Sequence, residues 1–188
     1  MQSITNILGY IVSGYPYFSL VYVVFFFKKI KTEKSYFNVI PISNFIFLTL
    51  SSAILIPYLL ELFTAWYSGN MYESYAFANR ASGMWTWKVY FTLFVLNLFL
   101  PQVFWFKKIR NAIFVTVLVS VYFLLSFWLE PIILFITSFS KDYLPSHWVY
   151  KEPWYVRNIL TPLLQTISYG FVVLLFVLIK VKGNKIRK

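Results

Sequence analysis

Five apolar runs, each long enough to cross a bilayer as a helix, constrain the fold of this chain more than any other feature. The hydrocarbon core of a bilayer is spanned by about 20 apolar residues in helical conformation. Only 12% of the 188 residues are charged and 60% are hydrophobic, whereas soluble domains carry about 25% charged residues. The sequence therefore predicts an all-α membrane protein with a single membrane domain. We place about five transmembrane helices, at residues 9–27, 39–66, 86–106, 111–138 and 158–181.

The basic residues lie in three short clusters that border the apolar runs. These are the connections 28–34 and 107–110 and the tail from residue 180, which together hold 12 of the 17 basic residues. With five spans, all three clusters fall on one side of the membrane. Cytoplasmic connections are enriched in lysine and arginine, so we predict that the N-terminus is outside and the C-terminus is cytoplasmic. The connections 67–85 and 139–157 then face outward.

The net charge of +11 raises the question of nucleic-acid binding. Nucleic-acid-binding chains gather their basic residues on one face or along one helix. Here the basic residues are divided among short clusters between apolar runs, which is the pattern that sets membrane topology. We therefore predict a lipid environment and no nucleic-acid partner.

Two acidic residues lie in or near apolar runs and are candidates for function. Glu61 lies near the outer end of the second predicted span, and Glu130 lies inside the fourth. A charged carboxylate in apolar surroundings is costly, so it is paired, neutral or exposed to a wet cavity. One interpretation is a proton relay. The other is a pair of structural ion pairs, Glu61 with Arg80 and Glu130 with Lys88.

The outward connections carry further candidates. The second connection holds Asp142 and His147, the only aspartate and the only histidine of the chain. Histidine titrates near neutral pH, but a histidine beside a tryptophan at a membrane interface also serves as a structural hydrogen-bond donor. The aromatic residues fit an interfacial belt. The mixed charges beside them favour a folded outer surface that docks a peripheral subunit.

The composition restricts which cofactors this chain can hold. It has no cysteine and one histidine. An iron–sulfur cluster held by thiolates and a haem held by two histidines are therefore excluded, and we predict no metal site. Any electron-transfer metal must therefore belong to a partner subunit.

A resemblance to a known family spans roughly residues 55–150 and is carried mainly by three segments. They are ELFTAWYSGNMYESYAFANRASGMWTW at 61–87, LPQVFWFKKIRNAIFV at 100–115 and WLEPIILFITSFSKDYLPSHW at 128–148. These segments resemble the NrfD-like (polysulfide-reductase type) membrane subunits, and most closely the ActC subunits of bacterial alternative complex III.

The resemblance implies a subunit of a quinol-oxidising respiratory complex in a bacterial inner membrane, which we favour over an organellar membrane. Family members are built from two four-helix bundles, and this chain matches the second bundle plus the final helix. The implied partners are an outer iron–sulfur subunit, cytochrome subunits that carry haem c, and a second NrfD-like subunit. The chain itself would hold no cofactor, and quinol would bind nearby.

Two departures from the family keep an alternative open. The first bundle, which holds the usual quinol pocket, has no counterpart, so a separate chain would have to supply it. Pro131 stands where the family has an arginine after the glutamate that matches Glu130. The alternative is a structural or assembly subunit without quinol or proton chemistry. A small transporter is disfavoured, because the sequence shows no inverted repeat.

Overall fold

The computed structural model describes residues 2–33, 38–67, 96–138 and 156–186. Five longer helices are present in these ranges: α1 (Gln2–Val12), α2 (Tyr15–Thr32), α3 (Val39–Tyr67), α4 (Ile113–Ser138) and α5 (Thr161–Ile186). Shorter elements are a 3-10 helix, Leu100–Trp105, a helical turn, Lys107–Arg110, and a π-helical turn, Val156–Leu160. The described ranges contain no strand, so the all-α prediction is confirmed for them.

Three helical stretches are long and apolar enough to cross a membrane. They are Thr5–Ile30, Val39–Leu60 and Thr161–Val181. Helix α4 adds a shorter apolar stretch, Ile113–Phe127. These helices support the predicted membrane class. The count of five spans and the orientation relative to the cytoplasm stay predictions.

The first predicted span consists of two helices that meet at Ser13 and Gly14. The Ser13 N–H donates to the Gly9 carbonyl at 3.0 Å, and the Gly14 N–H donates to the Ile11 carbonyl, also at 3.0 Å. Pro16 follows in the first turn of α2. The N–H groups of a first turn have no acceptor within their helix, so the missing N–H of proline costs no hydrogen bond there. The helix therefore stops and restarts inside one continuous apolar run.

The third predicted span, 86–106, lies within the described ranges only from residue 96. Residues 96–99 are α-helical, and Leu100–Trp105 then forms a tighter 3-10 helix with Pro101 at its start. Proline cannot donate the α-helical hydrogen bond, and its ring clashes with the preceding turn. The α-helix expected to reach residue 106 therefore ends at Phe99.

The helices pack around an aromatic core. Helix α2 packs most extensively against α4, and α3 packs against α1 and the 3-10 helix. The Tyr15 ring stacks on Phe47 with 3.8 Å between ring centroids, and Phe104 and Phe123 meet Phe47 edge-on. The Tyr169 ring of α5 also belongs to this aromatic group and packs edge-on against the Tyr15 ring. Edge-on and offset rings add stabilisation beyond the burial of their area.

The basic clusters meet at one end of the described helices, which we call the basic end. Helix α2 reaches this end with Lys28 and Lys29, and Ile113, just after the turn Lys107–Arg110, packs against the cluster of Val23, Ile30 and Ile40. Arg110 and Lys180 line one cavity there. Helices α3 and α4 both begin at the basic end and run away from it. The shared location agrees with the predicted charge asymmetry.

Candidate functional site

The two acidic candidates lie on described helices, toward the end opposite the basic end. Glu61 is near the C-terminus of α3, and Glu130 is in the second half of α4. At a rise of 1.5 Å per residue, Glu61 lies about 33 Å from the start of α3, and Glu130 lies about 26 Å from the start of α4. Helices α3 and α4 both begin at the basic end, so both acids lie far from that end.

The other predicted site residues lie outside the described ranges. These are Arg80, Lys88, Asp142 and His147. The ion pairs Glu61–Arg80 and Glu130–Lys88 therefore stay predictions, and so does the proton relay. The same holds for the docking role of the two connections, of which residues 68–85 and 139–155 lie outside the described ranges.

A buried cluster of neutral polar side chains joins four helices at the centre of the described core. We call it the Asn44 cluster. Its members are Tyr15 of α2, Ser43 and Asn44 of α3, Thr116 of α4 and Tyr169 of α5, and all five are at most 3% exposed. This cluster was not predicted from the sequence.

Asn44 uses both ends of its amide to connect three parts of the chain. Its Oδ1 accepts a hydrogen bond from the Tyr15 hydroxyl at 2.8 Å. Its Nδ2 donates to Thr116 Oγ1 at 2.7 Å and to the Arg110 carbonyl at 2.8 Å. Both amide hydrogens are therefore used. A fully satisfied polar group of this kind fixes neighbouring helices in one register.

Tyr169 connects α5 to the same region of α3. Its hydroxyl donates to the Ser43 carbonyl at 2.7 Å and lies 3.3 Å from Ser43 Oγ. Thr116 Oγ1, which accepts from Asn44, donates to the Ala112 carbonyl at 3.2 Å. The cluster therefore consists of two groups of hydrogen bonds, one at Asn44 and one at Ser43, which are adjacent residues of α3.

The Asn44 cluster holds the helices together and contains no side chain that ionises near pH 7. Amides, aliphatic hydroxyls and phenols keep their protons near pH 7. A cavity beside the cluster, lined in part by Phe18, Ser43 and Thr116, has a volume of about 10 Å³, which is about the limit for one water. It cannot hold a quinol head group. Among the described residues, no group of three or more acids or histidines could hold a metal ion.

The sequence does contain a signal for the cluster. Asn44 interrupts the apolar run PISNFIF at 41–47, and an amide inside a membrane-spanning helix is expected to bond across to another helix. Ionisable groups in an apolar run mark possible proton paths, whereas amides and phenols mark contacts between helices.

Replacing Tyr169 by phenylalanine tests the link between α3 and α5. The ring keeps its packing, while the Ser43 carbonyl loses its donor. We expect the free energy of unfolding to fall by about 1 kcal/mol, measured by denaturant titration of the detergent-solubilised protein. The control is Tyr10→Phe, because Tyr10 is 39% exposed on α1. Equal effects of the two changes would contradict a structural role for the Tyr169 hydroxyl.

Two comparisons with known proteins identify no family for this chain. The models of known protein families give no match. No curated protein matches the sequence. The family resemblance described above therefore enters the functional argument as a proposal.

Proposed function

We propose that the chain is an integral membrane subunit of a quinol-oxidising electron-transfer complex of the alternative-complex-III type, in a bacterial inner membrane. The observation that supports this most is the arrangement of the helix ends. The basic clusters lie together at one end, while α3 and α4 lead away from it through Glu61 and Glu130. The aromatic and charged connections 67–85 and 139–157 follow those helices in the chain.

In the proposed complex, electrons pass through partner subunits. This chain has no cysteine, so the iron–sulfur clusters and the covalently attached haems belong to its neighbours. The connections 67–85 and 139–157 would dock an outer iron–sulfur subunit and cytochrome c subunits. Glu61 and Glu130 would hand protons from quinol toward the outer face.

The described helices would serve this complex as a rigid support. The Asn44 cluster fixes α2, α3, α4 and α5 in register, so the ends of α3 and α4 keep a defined spacing. Helix α5 leaves Ile167, Phe171 and Leu174 more than half exposed. Lipid, a second NrfD-like subunit or a separate chain that supplies the first bundle would cover such apolar surfaces.

A second function, that of a structural or assembly subunit, is favoured by a different observation. The buried polar side chains of the described core are neutral, and those of the Asn44 cluster bond to one another or to backbone carbonyls. The cavity beside them is limited to about 10 Å³. A chain that only holds neighbouring subunits in place needs nothing more.

Purification of the chain from its native membranes in a mild detergent tests membership of the complex. We expect subunits with haem c absorbance and an iron–sulfur subunit to migrate with it, and the material to oxidise quinol. A chain that migrates alone, or with neither kind of cofactor subunit, would contradict the proposal.

Replacement of Glu61 and Glu130 by glutamine separates the two functions. Glutamine keeps the size of the side chain but cannot carry a proton. We expect quinol turnover of the intact complex to fall about tenfold or more, because a positioned proton carrier commonly contributes at least that factor. The control is Glu33→Gln, an exposed acid at the basic end. Full turnover in an intact complex would favour the structural or assembly role.

A further inference from the structure

A second feature, distinct from the Asn44 cluster, lies at the basic end. A cavity of about 340 Å³ opens between the start of α3, the turn Lys107–Arg110 and the last turns of α5. Two of its lining residues are the cations Arg110 and Lys180, and the others are apolar. This volume falls within the range of sites that bind small molecules.

The two cations present their charge to this cavity without a partner acid among the described residues. The Arg110 guanidinium lies 5.1 Å from the centre of the Phe45 ring, and this cation–π contact orients it. The Arg110 backbone is held as well, because its carbonyl accepts from Asn44 at 2.8 Å. Lys180 is exposed on α5. An anion between the two would offset part of their combined charge of +2.

The cavity lies where two candidate spans end. The span of α3 begins at Val39, and that of α5 finishes at Val181. Lys180 therefore lies at the end of a candidate span, where the membrane surface is expected. Phe45 and Phe176 lie one to two turns further along their helices toward the membrane interior, with 40% and 49% of their surfaces exposed. The walls of the cavity thus change from cationic to apolar with depth.

We propose that this cavity binds an anionic phospholipid. The phosphate would lie between Arg110 and Lys180, and the acyl chains would follow Phe45, Phe176 and Ile179 into the bilayer. Arginine recognises phosphate oxygens through paired N–H groups, and lysine adds a point charge. Basic pockets between membrane helices on the cytoplasmic side are suited to anionic head groups. A soluble phosphate would gain nothing from the exposed aromatic wall.

The test measures which lipids stay with the full-length protein. The chain is purified in mild detergent, and bound lipid is quantified by mass spectrometry. It is then placed in bilayers of phosphatidylcholine with increasing phosphatidylglycerol, and lipid binding is titrated. We expect phosphatidylglycerol to be retained in preference to phosphatidylcholine.

Two substitutions and a control locate the site. Arg110→Gln and Lys180→Gln should each weaken phosphatidylglycerol binding about fivefold, and together about 25-fold, because each basic side chain near an anionic lipid surface contributes a factor of this size. Arg110→Gln keeps the backbone carbonyl that Asn44 needs, and Lys180 is exposed, so the fold should be retained. Lys28→Gln removes the same charge from the basic end without altering the cavity lining.

The outcomes divide clearly. Loss in the two cavity variants but not in Lys28→Gln supports the site. Equal loss in all three variants means that the attraction is diffuse and overturns the proposal. Displacement of the lipid by millimolar inorganic phosphate would show an anion site that does not need the acyl chains, which also overturns it. Each result leaves the proposed respiratory function untouched, because neither electron nor proton transfer enters the measurement.

Discussion

Replacing Gly14 by alanine is expected to force α2 away from α5 and to lower the free energy of unfolding by about 3 kcal/mol. A Cβ atom at Gly14 would overlap the backbone carbonyl oxygen of Gln165 and would lie 2.9 Å from Cβ of Tyr169. Neither obstacle is the end of a flexible side chain, so the helices themselves must move. Tyr15 follows directly in the chain, and its bond to Asn44 would be strained by the same displacement.

Denaturant titration in detergent, followed by circular dichroism, measures this effect. Gly9→Ala is the matched control, because a Cβ there meets nothing within 4 Å. It should be neutral or stabilise α1 by up to about 1 kcal/mol, since alanine is the better helix former. Gly170→Ala should lie between the two, because its Cβ would come 3.3 Å from the Phe18 ring. If Gly14→Ala and Gly9→Ala unfold alike, the close approach of α2 and α5 is wrong.

Replacing Asn44 by leucine is expected to cost about 3 kcal/mol of stability. Leucine is similar in size to asparagine but cannot form its three hydrogen bonds, to the Tyr15 hydroxyl, Thr116 Oγ1 and the Arg110 carbonyl. Hydrogen bonds between membrane helices contribute about 1 kcal/mol each. The loss of its hydrogen bond should affect the Arg110 carbonyl most, because this carbonyl belongs to the short turn that leads into α4.

A double-mutant cycle makes the Asn44 prediction specific. Tyr15→Phe removes one partner, and combining it with Asn44→Leu should cost less than the sum of the two single changes, because residues in one hydrogen-bond network are coupled. Thr49→Val serves as the control in the same helix, since the Thr49 hydroxyl donates only to the Ile46 carbonyl of its own turn. Strict additivity of the Tyr15 and Asn44 changes would argue against the network.

The length and apolar character of the runs were sufficient to predict the all-α class of the described residues and the approximate location of α3, α4 and α5. They were not sufficient to predict where helices break. The run that holds Gly14 and Pro16 is apolar throughout, so hydropathy alone reports one span, whereas the backbone stops and restarts there. Pro101 likewise lies inside an apolar run, and its missing N–H and the clash of its ring with the preceding turn explain the 3-10 helix that begins beside it.

The centre of the core could not be predicted, for a different reason. The Tyr169 hydroxyl and the Ser43 carbonyl are 126 residues apart in the chain, and no local pattern reports a partner at that distance. An acid in an apolar run, such as Glu61 or Glu130, can be recognised from the sequence, because its charge is energetically costly in lipid whatever its neighbours are. The role of a buried phenol or amide can be recognised only when the helix that carries its hydrogen-bond partner is known.

The wide separation of these partners has a consequence for biosynthesis. The ribosome delivers α3 after α2, so the bond from Tyr15 to Asn44 can form in an early helical hairpin. The amide hydrogens of Asn44 must wait for Thr116, which lies 72 residues later. At roughly 5–20 residues per second, that delay is on the order of ten seconds. During it neither native acceptor of the Asn44 amide has been made, and an unsatisfied donor is costly in lipid, so we expect the nascent hairpin to stay at the insertion machinery until α4 is made.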